Sequence, residues 1–257
     1  GAVTGANNSL TLDTTTTTGS ADITFNGDIN LGTGALTVTG DVVLGANVSV
    51  TATPSSGIGI RFNDAINADS ASSNDRTLTL NSGTAATIFA LGNIGNSQAL
   101  AGLTITQSND ASFSGSVDVS DSSSGTITLT DTTDGANITF ISNVTADSFT
   151  TAAQGYDIFL LGDATFANAV TFQNTGTLDL GNATSDTLTF NGGVTTSSVG
   201  GTVTLDTSIS SSDDAITLGA VTLGNNVTID TNSTTTNRAD ITIAAVTGGS
   251  NTLTLTT

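Results

Sequence analysis

Lysine, glutamate, histidine, cysteine, methionine and tryptophan are all missing from this chain of 257 residues. Those absences remove most of the side chains that act as nucleophiles and general bases, so no enzymatic activity is expected. The 22 acids are all Asp and face three bases, Arg61, Arg76 and Arg238, for a net charge of −19. A chain so acidic repels nucleic-acid phosphates and anionic lipid, which excludes a nucleic-acid partner. Lack of cysteine excludes disulfides and thiolate metal sites. No apolar run approaches the roughly 18 residues that a membrane-crossing helix needs. A basic-then-apolar signal segment is missing as well, and a chain without methionine is expected to be a processed form or an excerpt. Proline occurs once, at Pro54 in an expected loop, which leaves every strand free to donate its N–H groups.

Good helix formers are scarce, and Thr, Ser, Asn, Gly and Asp, which favour strands and turns, take their place. Short segments alternate apolar and hydroxyl residues: Leu10-Thr11-Leu12, Ile23-Thr24-Phe25, Leu36-Thr37-Val38, Val48-Ser49-Val50, Leu78-Thr79-Leu80, Leu103-Thr104-Ile105, Ile127-Thr128-Leu129, Ile138-Thr139-Phe140, Leu188-Thr189-Phe190, Val203-Thr204-Leu205, Val227-Thr228-Ile229, Ile241-Thr242-Ile243 and Leu253-Thr254-Leu255. A period of two marks strands buried on one face, and the Gly, Asn, Asp and Ser between them supply the turns. Alternation weakens from Thr87 to Leu103, where no strand is assigned.

Internal repetition selects among the all-β architectures. The run from Gly40 to Val50 aligns without gaps on Gly219 to Ile229, with six of eleven positions identical. Gly1 to Thr4 matches Gly219 to Thr222, and Ala21 to Thr24 matches Ala239 to Thr242. A repeating unit of roughly 30–35 residues with two or three strands is too small to bury its own core, so units must stack. The expectation is one repetitive domain over residues 1–257. Its form is an elongated right-handed parallel β-helix of about 8–12 coils, each adding about 4.8 Å. A β-sandwich fibre subunit is the alternative.

The phrases Val221-Thr222-Leu223-Gly224-Asn225-Asn226-Val227-Thr228-Ile229, Ala239-Asp240-Ile241-Thr242-Ile243, Asp22-Ile23-Thr24-Phe25-Asn26-Gly27 and Leu253-Thr254-Leu255 resemble repeats of large secreted bacterial adhesins of the filamentous-haemagglutinin type. That resemblance implies a right-handed parallel β-helix, export to the cell surface or beyond, and a role in adhesion, biofilm or surface structure. The expected function is therefore a structural segment of an extracellular filament or adhesin. Its expected partner is another copy, stacked head to tail, or the adjacent repeats of a longer chain. The alternatives are an adhesin arm that binds glycan or a host surface, a pilin-like donor-strand polymer, and an ice-binding solenoid.

Few residues qualify as site candidates. Asp131 with Asp134, and Asp213 with Asp214, are candidate calcium ligands, because calcium takes carboxylate and backbone oxygens in turns; Asp118 with Asp121 forms a similar pair. The competing account is that Asp caps turns through its side-chain oxygen. No other cofactor is expected. Paired Asp could hydrolyse glycosides, but one tyrosine, Tyr156, and no tryptophan offer almost no aromatic platform for sugar. Threonine runs such as Thr126/Thr128/Thr130 and Thr252/Thr254/Thr256 align hydroxyls on a strand face, as in the ice-binding faces of some β-solenoids. Uneven spacing of the segments argues against that role, and water-facing Thr in strands is the plainer account. Each arginine is expected to pair with a nearby Asp. For assembly the candidates are Val3 at one end and Leu253 and Leu255 at the other, because both ends carry strand-like repeat sequence.

Overall fold

A computed structural model describes residues 1–14, 21–69, 76–121, 124–231 and 239–257. Every alternating segment named above forms a strand, because β-branched residues at every second place bury one side of a pleated ribbon. Pro54 lies in a loop, and Thr87 to Leu103 contains a further strand, Thr87–Ala90. Among the described residues there is no α-helix, and the strand pairing is parallel throughout. Antiparallel hairpins would give a sandwich; uniformly parallel pairing gives a β-solenoid of about ten turns.

Each turn lays strands on three faces in succession. Face 1 begins with Val3–Thr4, Ile29–Asn30, Val48–Thr51 and Thr77–Asn81. Face 2 begins with Leu10–Asp13, Leu36–Thr39 and Ile58–Phe62. Face 3 begins with Ile23–Phe25, Val42–Leu44 and Ile66–Ala68. The first two faces merge into a 20-stranded sheet, and near the end single strands, Ile216–Leu223 and Ile241–Thr247, run across both. Face 3 comprises a three-stranded and a seven-stranded sheet, joined through Ile94, which bridges Ile66 and Val117.

Stacking turns the alternation into columns. On face 2 one inward column passes from Leu36 through Ile60, Ile88, Ala111, Ile138, Ile158 and Leu178 to Val203, all buried. Phenylalanines line the middle of the core. Phe113 stacks on Phe140 at 4.9 Å between ring centroids, and Phe149 meets Phe166 edge-on at 5.4 Å. Phe166 stacks in turn on Phe190 at 5.3 Å. Burying one such side chain stabilises the fold by about 1.5–3 kcal/mol. Tyr156 is also fully buried; its hydroxyl accepts from the Ala152 N–H at 2.9 Å and lies 3.1 Å from the Leu129 carbonyl, to which it donates.

The turns are shorter than the unit expected from sequence repetition, and they vary in length. Ile29 pairs with Val50 in one of the shortest turns, and Val48 pairs with Leu78 in one of the longest. The aligned phrases explain why repetition overstates the turn. Val42–Leu44 and Val48–Thr51 occupy faces 3 and 1, whereas their sequence matches at 221–223 and 227–229 occupy faces 2 and 3. What repeats in the sequence is a strand, a Gly/Asn corner and a strand. Because all three corners reuse it, a sequence alignment slips from one face to another.

Candidate functional site: the end faces and the acidic corners

The acids cluster at the corners, and their local role follows from parallel stacking. Where a strand begins, the preceding Asp or Asn lies below the equivalent residue of the next turn, whose N–H has no strand partner. Asp28 Oδ1 accepts from the Ser49 N–H at 2.8 Å, Asp110 Oδ1 from Asn137 at 2.9 Å, and Asp163 Oδ1 from Thr187 at 2.7 Å. Asn93 and Asn226 do the same for Ser116 and Thr252, both at 2.9 Å. Side-chain oxygens thus carry the hydrogen-bond ladder around corners, each bond to a carboxylate adding about 1.5–3 kcal/mol.

Of the candidate calcium ligands, Asp134 follows this scheme, whereas Asp131 accepts from a side-chain amide of the preceding turn. Asp131 and Asp134 lie at one corner: Asp131 Oδ2 accepts from Gln107 Nε2 at 3.3 Å, and Asp134 Oδ1 from the Gly155 N–H at 3.1 Å. Asp213 and Asp214 lie at a different corner, several turns away, before the strand Ile216–Leu223. Asp213 takes a left-handed turn conformation, φ 64°, and the Asp214 carbonyl accepts from Ser211 Oγ at 2.5 Å. Asp118 Oδ1 accepts from the Ser120 N–H and hydroxyl at 3.0 and 2.6 Å. Among the described residues, no three carboxylates converge as a metal would require. Of the arginines, Arg76 pairs with Asp69 at 2.8 Å, whereas Arg61 Nε donates to Asn63 Oδ1 at 2.6 Å rather than to an aspartate. The amide lies two residues along the same stretch of chain. Arg238 lies outside the described residues.

One carboxylate pair escaped the sequence, because its members sit on successive turns and only the register joins them. Asp179 projects from face 2 between Phe159 and Thr204, one turn to either side. Burial, and then the charge and hydrogen bond of Asp206, push its carboxyl up from the ordinary 3.8 to about 6. Its Oδ1 is buried without a hydrogen-bond partner. Two carboxyls in direct hydrogen-bond contact leave no room between them for a sugar, which glycosidases accommodate with a gap of about 5–9.5 Å.

The assembly candidates occupy the two end faces. At the first turn a recess of about 320 Å³ opens, lined by Val3, Leu10, Leu12, Ile23, Phe25 and Ile29. Val3 is 43% exposed although it stacks on buried Ile29. At the last turn Leu255 is 52% exposed and Val246 is 45% exposed, above Ile229 and Val221, which are buried. Leu253 is half-buried and packs against the core. These positions belong to inward columns and lie in the first and last turns. Val246 was not recognised from the sequence, since its place in an inward column shows only in the pairing.

The threonines form a longer array than any run in the sequence suggests. On face 1, Thr79, Thr104, Thr128, Thr150, Thr171, Thr195, Thr217 and Thr242 pair in unbroken succession, and all are at least partly exposed. Uneven spacing along the chain is absorbed by the corners, so the column itself is regular. The corresponding outward column on face 2 is mixed, with Thr37, Arg61, Phe89, Ser112, Thr139, Phe159 and Asp179.

Among the described residues, no helix is long and apolar enough to cross a membrane. No protein-family model, curated protein or solved structure matches the chain.

Proposed function

We propose that this chain is a structural segment of an extracellular bacterial filament or adhesin, in which the β-ladder continues across both end faces. The continuation is supplied by a second copy head to tail, or by the adjacent repeats of a longer chain. The observation that carries the reading is the contrast within single columns: Leu255 is 52% exposed and Ile229, one layer below, is 0% exposed. Apolar surface of this kind, with the unpaired N–H and C=O groups of an end strand around it, is a template for another strand. An acidic, hydroxyl-rich exterior without lysine keeps such a rod solvated. The resemblance to filamentous-haemagglutinin-type repeats supports the same reading.

Electron microscopy of the 257-residue polypeptide at high concentration tests it. One copy is about 50 Å long at about 4.8 Å per turn, so longer rods mean end-to-end stacking. Leu253→Asp with Leu255→Asp should leave rods one copy long whose central turns stay folded. Wild-type protein that remains monomeric would refute stacking between copies and leave the adjacent repeats of a longer chain as the source of the next layer.

The threonine column favours a second reading, ice binding. Eight hydroxyl-and-methyl pairs repeat over about 34 Å at the strand spacing, and only Asp131 is charged within the face 1 strands described. Such a row can hold water at a fixed period. Ice crystals that grow in the presence of the protein with the same shape and rate as in buffer would dismiss this reading.

A further inference from the structure

In the middle of the rod, the outward side of face 2 carries aromatic and aliphatic residues where the outward column of face 1 carries threonine. The strands there are Ile58–Phe62, Thr87–Ala90, Ala111–Phe113, Asn137–Phe140, Asp157–Leu160 and Leu178–Leu180. Phe89 and Phe159 each lie between two buried neighbours, so they point away from the core, and both stay partly exposed. Two places further along their strands, Leu91 is exposed and Leu161 partly so, and Ile141, on the turn before Leu161, is exposed as well.

This apolar patch is the centre of a column whose two halves mirror each other. Along the axis the outward residues run Arg61, Phe89, Ser112, Thr139, Phe159 and Asp179, with Thr37 before them and Thr204 after. About a midpoint between Ser112 and Thr139, phenylalanine matches phenylalanine, arginine matches aspartate and threonine matches threonine. The column two places on runs Asn63, Leu91, Ser114, Ile141, Leu161 and Gly181, held in step by backbone bonds between turns. About the same midpoint leucine matches leucine, and the small Ser114 matches the large Ile141. We infer that face 2 docks on face 2 of a second copy of this chain, with the two rods antiparallel and a two-fold axis running between the Ser112 and Thr139 strands. The surface is separate from the end faces, and the inference does not rest on the filament reading.

Charge and shape select both the partner and the direction. Antiparallel docking lays Phe89 on Phe159 of the second copy, an aromatic pair, and fits Ile141 over Ser114. Arg61, which forms no ion pair among the described residues, meets Asp179 of the second copy, whose Oδ1 has no hydrogen-bond partner of its own. In the column on the other flank, Asp110 meets Asn137 and Asp157 meets Thr87, so within these strands no carboxylate faces another. A parallel pair with the same column in contact would set Arg61 on Arg61 and Asp179 on Asp179. The six strands and three columns cover roughly 500–600 Å² on each copy, which places the pair at the lower end of specific interfaces. Such an interface gives a reversible dimer, with a dissociation constant on the order of 10 μM. The contact is isologous, so it closes at two copies.

Sedimentation equilibrium tests this in the Leu253→Asp/Leu255→Asp background, where association through the ends is blocked and the side face reports alone. The buffer is held at pH 8, above the raised Asp179 value of about 6, with about 0.15 M salt to screen the repulsion between two acidic chains. As concentration rises, the mass should pass from 25.3 kDa to twice that value. Ile141→Asp changes an exposed side chain, so the core is untouched, and it should weaken pairing at least about tenfold. Arg61→Asp and Asp179→Arg should each do the same, because each sets like charges together on both sides of the two-fold axis. An equimolar mixture of those two variants should pair as well as the parent, since each supplies the charge that the other lacks. Thermal melts show whether each variant is folded. A parent that stays monomeric at fifty times the expected dissociation constant, or that pairs equally well with Ile141→Asp, overturns the proposal. Folded charge variants that pair like the parent, or whose mixture stays monomeric, overturn the antiparallel alignment. Each of these results leaves the filament reading standing, because that reading is decided by rod length in the wild type.

Discussion

Replacing Asp179 by Asn should make the protein more stable at neutral pH and change little in acid. In the folded state the Asp179 carboxyl is raised to about 6, chiefly by burial and secondarily by Asp206, and Oδ1 has no partner. A group raised on folding favours the folded state fully below its unfolded value, and loses that contribution as pH rises through its folded value. Here the loss runs from about pH 4 to about pH 6, after which both states carry the charge and the penalty is complete. The full rise corresponds to a ceiling of roughly 3 kcal/mol. The side chain is only half-buried, and solvent screens the interaction, so about 1 kcal/mol is the expected effect. Asparagine also brings an N–H₂ group that can donate to Asp206, whose Oδ1 already accepts from Asn225 Nδ2 at 3.2 Å. Urea unfolding of wild type and Asp179→Asn at pH 4, 5, 6 and 7 should give midpoints that coincide at pH 4 and diverge with the variant ahead. A stability difference that is the same at every pH, or a variant that is weaker at pH 7, would show that the carboxylate is not strained by its surroundings.

Phe140→Ala should cost about 3–5 kcal/mol, because it removes the ring stacked on Phe113. The neighbouring outward change Thr139→Ala should stay within about 1 kcal/mol, and equal losses in thermal melts would mean that the strand phase is wrong. Tyr156→Phe should cost only about 0.5–1.5 kcal/mol, because the Ala152 N–H and the Leu129 carbonyl that the hydroxyl contacts also bond each other at 3.0 Å; a loss of several kcal/mol in denaturant unfolding would contradict the hydrogen-bond assignment. Salt should raise the melting temperature by screening a net charge of −19. Calcium should do no more than sodium of equal ionic strength, since Asp131 and Asp134 already accept from an amide and a backbone N–H, and among the described residues no three carboxylates converge; an extra rise with calcium would reveal a bound ion.

Strand positions were legible because alternation at period two is a local property, complete within Ile138-Thr139-Phe140 or Leu188-Thr189-Phe190. The parallel solenoid was legible for a related reason: a short repeated unit can bury its apolar side only against copies of itself. Turn length was not. Corners tolerate insertions, so the short turn from Ile29 to Val50 and the long one from Val48 to Leu78 stack equally well. The phrase shared by Gly40 to Val50 and Gly219 to Ile229 accordingly falls on different faces. For the same reason the spacing of threonines along the chain gave no sign of their even column on face 1.

Composition and alternation alone determined that this chain would be all-β, repetitive, acidic and poor in the groups that catalysis needs. Those are properties of single residues and of neighbours two places apart. Tertiary structure decided which turn lies on which, and with it every relation between residues on successive turns. It joined Asp179 to Asp206, gave the corner aspartates N–H groups to accept from, and aligned eight threonines. It also left Val3, Val246 and Leu255 uncovered at the two ends. The physical reason is that register arises from packing between whole layers, and nothing in a single strand specifies which layer will lie above it.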